Sequence, residues 1–215
     1  MKIQNKPATS DSRDNNSLQR LILIAGNFLF RHRSYTPIPL ALVVIWQAET
    51  TFPLFPAGLA LIAVGELIRM AALRSVGVTT RTRRVGARRL VTWGLYSLTR
   101  NPLYIGNLLL WSGALLFAGG RYFLLLFAIM LVLFLIQYAL IVALEEARLE
   151  ELFGESYSAY CQAVPRVIPR SFKTAANPDQ GAVYPWRSVL RSERSTLIVI
   201  GGVTVLSLIS TLLKA

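Results

Sequence analysis

Two short polar segments flank one apolar hairpin, and they hold the residue types on which chemistry can be built. The first, Leu90 to Gly106, contains Arg100, Asn101, Pro102 and Tyr104. Pro102 suits the first turn of a helix, where its missing N–H costs nothing. Arg100 and Asn101 then stand at the mouth of that helix, whose free N–H groups and partial positive charge favour a carboxylate or phosphate. The second segment opens with Glu145-Glu146 at the end of a long apolar run. Carboxylates placed there are costly against lipid, so they predict contact with water, a cation or a ligand. Two plainer readings stay open on the charge pattern alone: an arginine reaching for headgroups, and a helix that simply continues into solvent.

The elements that must position these groups follow from composition. Of 215 residues, 53% are hydrophobic and 16% charged, against about 25% charged in an ordinary soluble domain. Mean hydropathy is +0.48, which argues against a soluble monomer. An apolar bilayer core of about 30 Å needs roughly 20 residues of helix. Runs of about that length lie at Ile38–Phe52, Pro56–Leu73, Leu103–Ala118, Tyr122–Leu144 and Thr196–Leu213. The Gly119-Gly120-Arg121 break is short enough for a tight hairpin. Leu18–Phe30 is shorter and ends in Arg31-His32-Arg33, which predicts an interfacial or partly inserted helix; no small-residue cleavage site follows it, which weakens a signal-peptide reading. The expected fold is therefore an all-α polytopic membrane bundle of about five spans, two hairpins plus a C-terminal helix. It divides into a disordered tail (1–17), an N-terminal helix and first span (18–55), a core (56–170), a cytoplasmic linker (171–195) containing an Asn177–Gly181 loop, and a final span (196–215).

The chain carries 23 Lys+Arg against 11 Asp+Glu, a formal charge of +12. In a soluble protein that balance suggests nucleic acid; in a membrane protein it records sidedness and anionic headgroups. Most of the arginines, Arg81, Arg83, Arg84, Arg88 and Arg89 among them, fall in segments that share one side, and the opposite turns hold only Arg121. The positive-inside rule places the former in the cytoplasm, and Lys214 outside. One cysteine, Cys161, excludes an internal disulfide, and one histidine, His32, excludes a His-rich metal cage. Neither nucleic acid nor metal is expected as a partner.

The order Leu-Val-Thr-x-Gly-x-Tyr-x-x-x-Arg-x-Pro-x-Tyr-x-Gly, then a hairpin, then Glu-Glu-x-x-Leu-x-x-x-Phe-Gly-x-x-Tyr-x-x-Tyr-x-x-x-Val-Pro-Arg-x-Ile-Pro, resembles the integral-membrane methyltransferases of the isoprenylcysteine carboxyl methyltransferase and phospholipid N-methyltransferase superfamily. The resemblance runs from about Pro56 to Pro169. It implies a helical enzyme that binds S-adenosylmethionine on the cytoplasmic side of a bacterial inner membrane or endomembrane and methylates a lipid-borne or prenylated acceptor. Carried over by position, it implies cofactor contacts at Leu90, Val91, Thr92, Gly94, Tyr96, Arg100, Asn101, Pro102 and Tyr104. Glu145 and Glu146 close the pocket, with Arg100 as the catalytic candidates, and Tyr157, Tyr160, Val164 and Pro165 fold back over it. Two departures stand out: Asn101 where many members have His, and Arg88-Arg89 where many have a His before Leu-Val-Thr. Asn hydrogen-bonds as His does but does not titrate near neutrality, which argues against a histidine base.

Methyl transfer from a sulfonium is an in-line displacement that needs alignment and exclusion of water, not a metal or a covalent nucleophile. A carboxylate acceptor suits Arg100; an amine suits Glu145 or Glu146. Among the remaining residues, Cys161 reads as packing, Glu66 and Arg69 as an internal pair one turn apart, and Gly94, Gly106, Gly113 and Gly119-Gly120 as sites of close helix approach. Trp46, Trp93, Trp111 and Trp186 include interface anchors. Two rival functions remain: NADPH-dependent sterol-type reductases resemble the same core, and a noncatalytic lipid-binding module would keep the fold without the chemistry.

Overall fold

A computed structural model describes residues 10–51, 54–77, 89–169 and 183–214. Arg81, Arg83, Arg84, Arg88 and the Asn177–Gly181 loop lie outside them. Six α-helices are present among the described residues: α1 (Ser10–His32), α2 (Ile38–Gln47), α3 (Leu54–Val76), α4 (Pro102–Ala118), α5 (Phe123–Ala163) and α6 (Trp186–Leu212). A single 3₁₀ turn, Gly94–Ser97, precedes α4. The all-α expectation holds.

Helices α3, α5 and α6 have the length and apolar character to cross a membrane, while α2 and α4 are apolar but shorter. The predicted run Ile38–Phe52 is helical for only ten residues. It stops because Ala48 turns extended (φ −56°, ψ 133°) and the buried Gln47 amide donates to the Gly119 carbonyl at 2.6 Å. Helix α6 starts ten residues before the expected Thr196, so much of the presumed linker is helix. Helix α1 likewise begins at Ser10, inside the presumed tail, and packs along α5, where Gly26 lies against the Leu140 carbonyl.

The closest helix approach is between α3 and α4. A Cβ on Gly106 would lie 2.8 Å from the Gly65 carbonyl and 2.5 Å from Arg69 Cγ. Small residues are what let helix backbones meet inside a membrane, where dispersion rather than water exclusion drives packing. Gly106 thereby also makes the channel through which the Arg69 side chain crosses from α3 to α4.

The helices share two ends. At one, the α2–α3 connection, the α4–α5 turn and the end of α6 interlock: the Glu49 amide donates to the Ala118 carbonyl at 2.9 Å, the Thr50 amide to Thr211 Oγ1 at 2.9 Å, and Lys214 Nζ to the Ala48 carbonyl at 3.1 Å. At the other end gather the α1–α2 turn, residues 89–101, the second half of α5, and Trp186, whose ring carries the Arg74 guanidinium 4.4 Å from its centroid. The outer faces show Leu124, Leu133, Ile198 and Leu206 exposed, as lipid-facing helices do.

Gly154 divides α5. Its φ of 47° and ψ of −120° belong to a region that side-chain-bearing residues avoid. The break turns the last helical turns of α5 back over the bundle end, where Tyr157, Tyr160 and Val164 form a buried cluster against Leu90, Leu149 and Phe153. Gly154→Ala meets no steric obstacle, so its cost is conformational alone, about 1–2 kcal/mol. We expect a lower thermal midpoint in detergent, and increased protease sensitivity confined to the segment after residue 154.

Candidate functional site

Between the helices at this second end lies a cavity of about 570 Å³, within the range of small-molecule and cofactor sites. Its polar groups come from both motifs. Asn101 is the residue before α4, with Pro102 fully buried in the first turn. The extended stretch before it is clamped to the end of α5: the Arg100 amide donates to the Pro165 carbonyl at 3.0 Å, Asn101 Nδ2 to the Arg166 carbonyl at 2.9 Å, and Tyr160 Oη to the Tyr96 carbonyl at 2.7 Å. Asn101 thus serves as a donor to a carbonyl, a task that needs no titration.

Arg100 Nη1 lies 3.0 Å from Glu146 Oε1. Arg166 Nε donates to that same oxygen at 3.0 Å, and its Nη2 pairs with Glu146 Oε2. Glu146 is therefore a carboxylate held by two guanidinium groups. Burial alone would lower the Arg100 pKa, but the Glu146 charge, with Cys161 and Tyr157 beside it, leaves it raised above its ordinary value. Arg100 is therefore cationic at physiological pH. Cys161 sits in the aromatic cluster and accepts from Arg100 Nη1 at 2.7 Å, a contact no sequence spacing signals. Glu145 faces differently: its Oε2 accepts from Tyr104 Oη at 2.8 Å. Burial and then the Glu145 charge push the Tyr96 hydroxyl far above its usual pKa, so it is neutral.

Of the sequence candidates, Leu90, Val91, Tyr96, Arg100, Asn101, Tyr104, Glu145, Glu146, Tyr157 and Tyr160 line the cavity. Thr92, Gly94 and Pro102 do not. Gly94 instead takes φ +64° with Ser75 Oγ against it, docking the 3₁₀ turn on the end of α3. His32 is exposed at the end of α1, its Nδ1 2.9 Å from the Phe28 carbonyl.

The sequence reading missed the inner wall. Arg69 is 7% exposed and Glu193, on α6, is fully buried. Arg69 Nη2 reaches Glu193 Oε1 at 2.8 Å and Oε2 at 2.7 Å, while Nε reaches Oε2 at 3.2 Å. The internal Glu66–Arg69 pair exists at 3.8 Å, but it is the longer contact; the main partner lies 124 residues away. Arg69 also donates to Asn107 Oδ1, and Asn107 Nδ2 to Tyr138 Oη at 2.8 Å. Polar residues inside apolar stretches, Arg69 of α3, Asn107 of α4 and Tyr138 of α5, were the available signal; Glu193 lies in the charged start of α6.

A family model for phospholipid methyltransferase matches residues 54–156. The chain is 32% identical over 117 residues to Protein-S-isoprenylcysteine O-methyltransferase B of Arabidopsis thaliana, covering 52% of this chain and 57% of that protein. It is 31% identical over 117 residues to Protein-S-isoprenylcysteine O-methyltransferase of Schizosaccharomyces pombe, covering 53% and 48% respectively. The chain thus spans about half the length of the curated relatives it matches. No solved structure matches.

Proposed function

We propose, from the match of residues 54–156 to the phospholipid methyltransferase family model, that this chain is a multi-pass membrane methyltransferase that uses S-adenosylmethionine to methylate a carboxylate or amine of a lipid-borne acceptor. The observation that carries the reading is the single cavity wall shared by Arg100, Glu146, Tyr104 and Glu145, one pair from each motif. The donor set suits the cofactor: a guanidinium for its carboxylate, a buried carboxylate for its positive groups, and aromatic faces that attract a cation. When bound, S-adenosylmethionine supplies an activated methyl group on a sulfonium.

The residues have distinct tasks in this proposal. Leu90, Val91, Tyr96 and Tyr160 form the wall that excludes water, and Thr92, Gly94 and Pro102 shape it from behind. Arg100, aligned by Glu146, binds an anionic group, and a planar fork does so with direction as well as charge. Glu146 is already paired with two arginines, which disfavours it as a base. Glu145 meets no guanidinium within ion-pair distance among the described residues, so it is the group to face a cation and, with an amine acceptor, to receive its proton. Alignment and desolvation then lower the barrier. The arginine-rich end lies on the cytoplasmic side by the positive-inside rule, and five crossings would require α2 and α4 to complete theirs through the adjoining turns.

Calorimetry in detergent tests the reading. We expect binding of S-adenosylmethionine and of its demethylated product, with no binding of NADPH. Binding of NADPH alone would turn the assignment to a reductase, and binding of none of the three to a noncatalytic module. Methyl-labelled cofactor given to cells with and without the protein should then yield a new labelled lipid or protein carboxyl terminus, identifying the acceptor.

A further inference from the structure

Below the Arg100 and Glu145 level, the cavity has a second polar rung that the reaction as proposed does not use. Tyr138 precedes Glu145 by seven residues on α5, two helical turns and so about 10 Å deeper along the same face. On α4 Asn107 follows Tyr104 by three residues, one turn and so about 5 Å deeper; the longer Tyr138 side chain spans the rest of the difference, and the rungs stand about one turn apart. The two helices are thus joined twice, by Tyr104 to Glu145 at 2.8 Å and by Asn107 to Tyr138 at 2.8 Å, with the two tyrosine rings 4.4 Å apart between the rungs.

The deeper rung is polarised in one direction. Glu193 as a carboxylate only accepts and Arg69 only donates. The Asn107 oxygen must therefore face Arg69, which leaves its amide nitrogen to donate to Tyr138 Oη. With that oxygen engaged as acceptor, the Tyr138 hydrogen remains to be donated, and it has no acceptor among the described residues. Bonds in such a chain reinforce one another in a low dielectric, so the hydroxyl is a strengthened donor on the cavity wall. Beyond it the cavity is lined by Trp111 of α4 and Val199 and Ile200 of α6, an apolar end suited to a lipid tail.

We propose that Tyr138 donates a hydrogen bond to an oxygen in the tail of the methyl-accepting lipid, about 5 Å below its reacting group, the one-turn spacing of the two rungs on α4, and that Glu193, through Arg69 and Asn107, is the positioning residue that holds Tyr138 in that role. The proposal rests on the methyltransferase reading and adds a substrate class to it: a lipid with an ester, amide or hydroxyl oxygen near that depth is preferred to one with a pure hydrocarbon tail. It also gives α6, which lies outside the 54–156 stretch, a part in acceptor selection.

The test uses matched single-chain amphiphiles, one with a hydrocarbon tail and one with an ester carbonyl about 5 Å from the head, each made with a carboxylate and with an amine head. Methylation by the full chain in detergent is followed with labelled cofactor. The wild type should favour the ester tail about three- to tenfold in kcat/KM, the worth of one neutral hydrogen bond, through KM rather than kcat. Tyr138→Phe should erase that preference while leaving the hydrocarbon probe and the cofactor affinity unchanged. Glu193→Gln, which keeps the side-chain volume, should reduce the same preference, and adding it to Tyr138→Phe should cost no further discrimination. No preference in the wild type, or a preference that survives Tyr138→Phe, overturns the proposal and leaves the methyltransferase reading standing. No methylation of any probe, together with no binding of S-adenosylmethionine, overturns both. Should Glu193→Gln fail to fold, Asn107→Leu interrupts the relay one link later and carries the same expectations.

Discussion

Replacing Arg100 by alanine should lower kcat/KM for the proposed methyl transfer by at least about a hundredfold, the scale seen when a preorganised donor is removed from a water-poor site. The residue ties three parts of the cavity together. Its backbone amide holds the Pro165 carbonyl, and its guanidinium meets Glu146 at 3.0 Å and the Cys161 sulfur at 2.7 Å. The backbone contact survives the substitution, so the wall keeps its course and the loss is one of charge and direction. Arg100→Lys restores the charge without the fork and should recover only part of the activity. Calorimetry assigns the loss: a weakened cofactor places Arg100 on the cofactor carboxylate, whereas an unchanged cofactor Kd with a raised acceptor KM places it on the acceptor. Turnover within about threefold of wild type, on the scale of a single weak contact, would remove Arg100 from the site.

The largest effect on stability is expected at Arg69. Arg69→Leu leaves the fully buried Glu193 carboxylate without the guanidinium that holds both its oxygens. Removing one partner of such a pair costs about 3–5 kcal/mol, equivalent to a fall of roughly 10 °C in thermal midpoint for a chain of this size. The pair's net worth is far smaller than that cost, because both groups were desolvated to form it. Arg69→Leu combined with Glu193→Leu should therefore regain most of the lost midpoint. Thermal unfolding in one detergent, compared across the two single variants and the double, checks this. If the double is no more stable than Arg69→Leu, the destabilisation arises from lost packing along the Gly106 channel and not from the loss of the guanidinium at the Glu193 carboxylate.

Helical class and approximate span positions were legible because they depend on runs of neighbouring residues. Pro102 marked the start of α4 and the Gly119-Gly120 turn its end, as local dihedral preferences require. The paired carboxylates were equally legible, since an apolar run that ends in Glu145-Glu146 is costly unless they are satisfied. Boundaries fared less well where long-range contacts set them. Helix α2 stops at Gln47 because that side chain caps the α4–α5 turn 72 positions later, and α6 begins at Trp186, whose ring carries Arg74. Thr92, Gly94 and Pro102 belong to a motif that reads as one strip, yet the strip runs through an extended stretch, a 3₁₀ turn and the start of α4, and these three do not line the cavity.

By itself, then, the sequence determined an apolar helical chain, its basic and acidic punctuation, and two ordered motifs carrying Arg100, Tyr104, Glu145 and Glu146. Only the tertiary structure decided which of those groups meet, and that Arg69, Asn107, Tyr138 and Glu193 stand behind them. The physical reason is that a lone polar residue in an apolar helix costs the same in sequence whatever it faces. Its partner is chosen by the depth at which helices cross, and here the contact of Gly65 with Gly106 brings Arg69 level with a carboxylate 124 residues away.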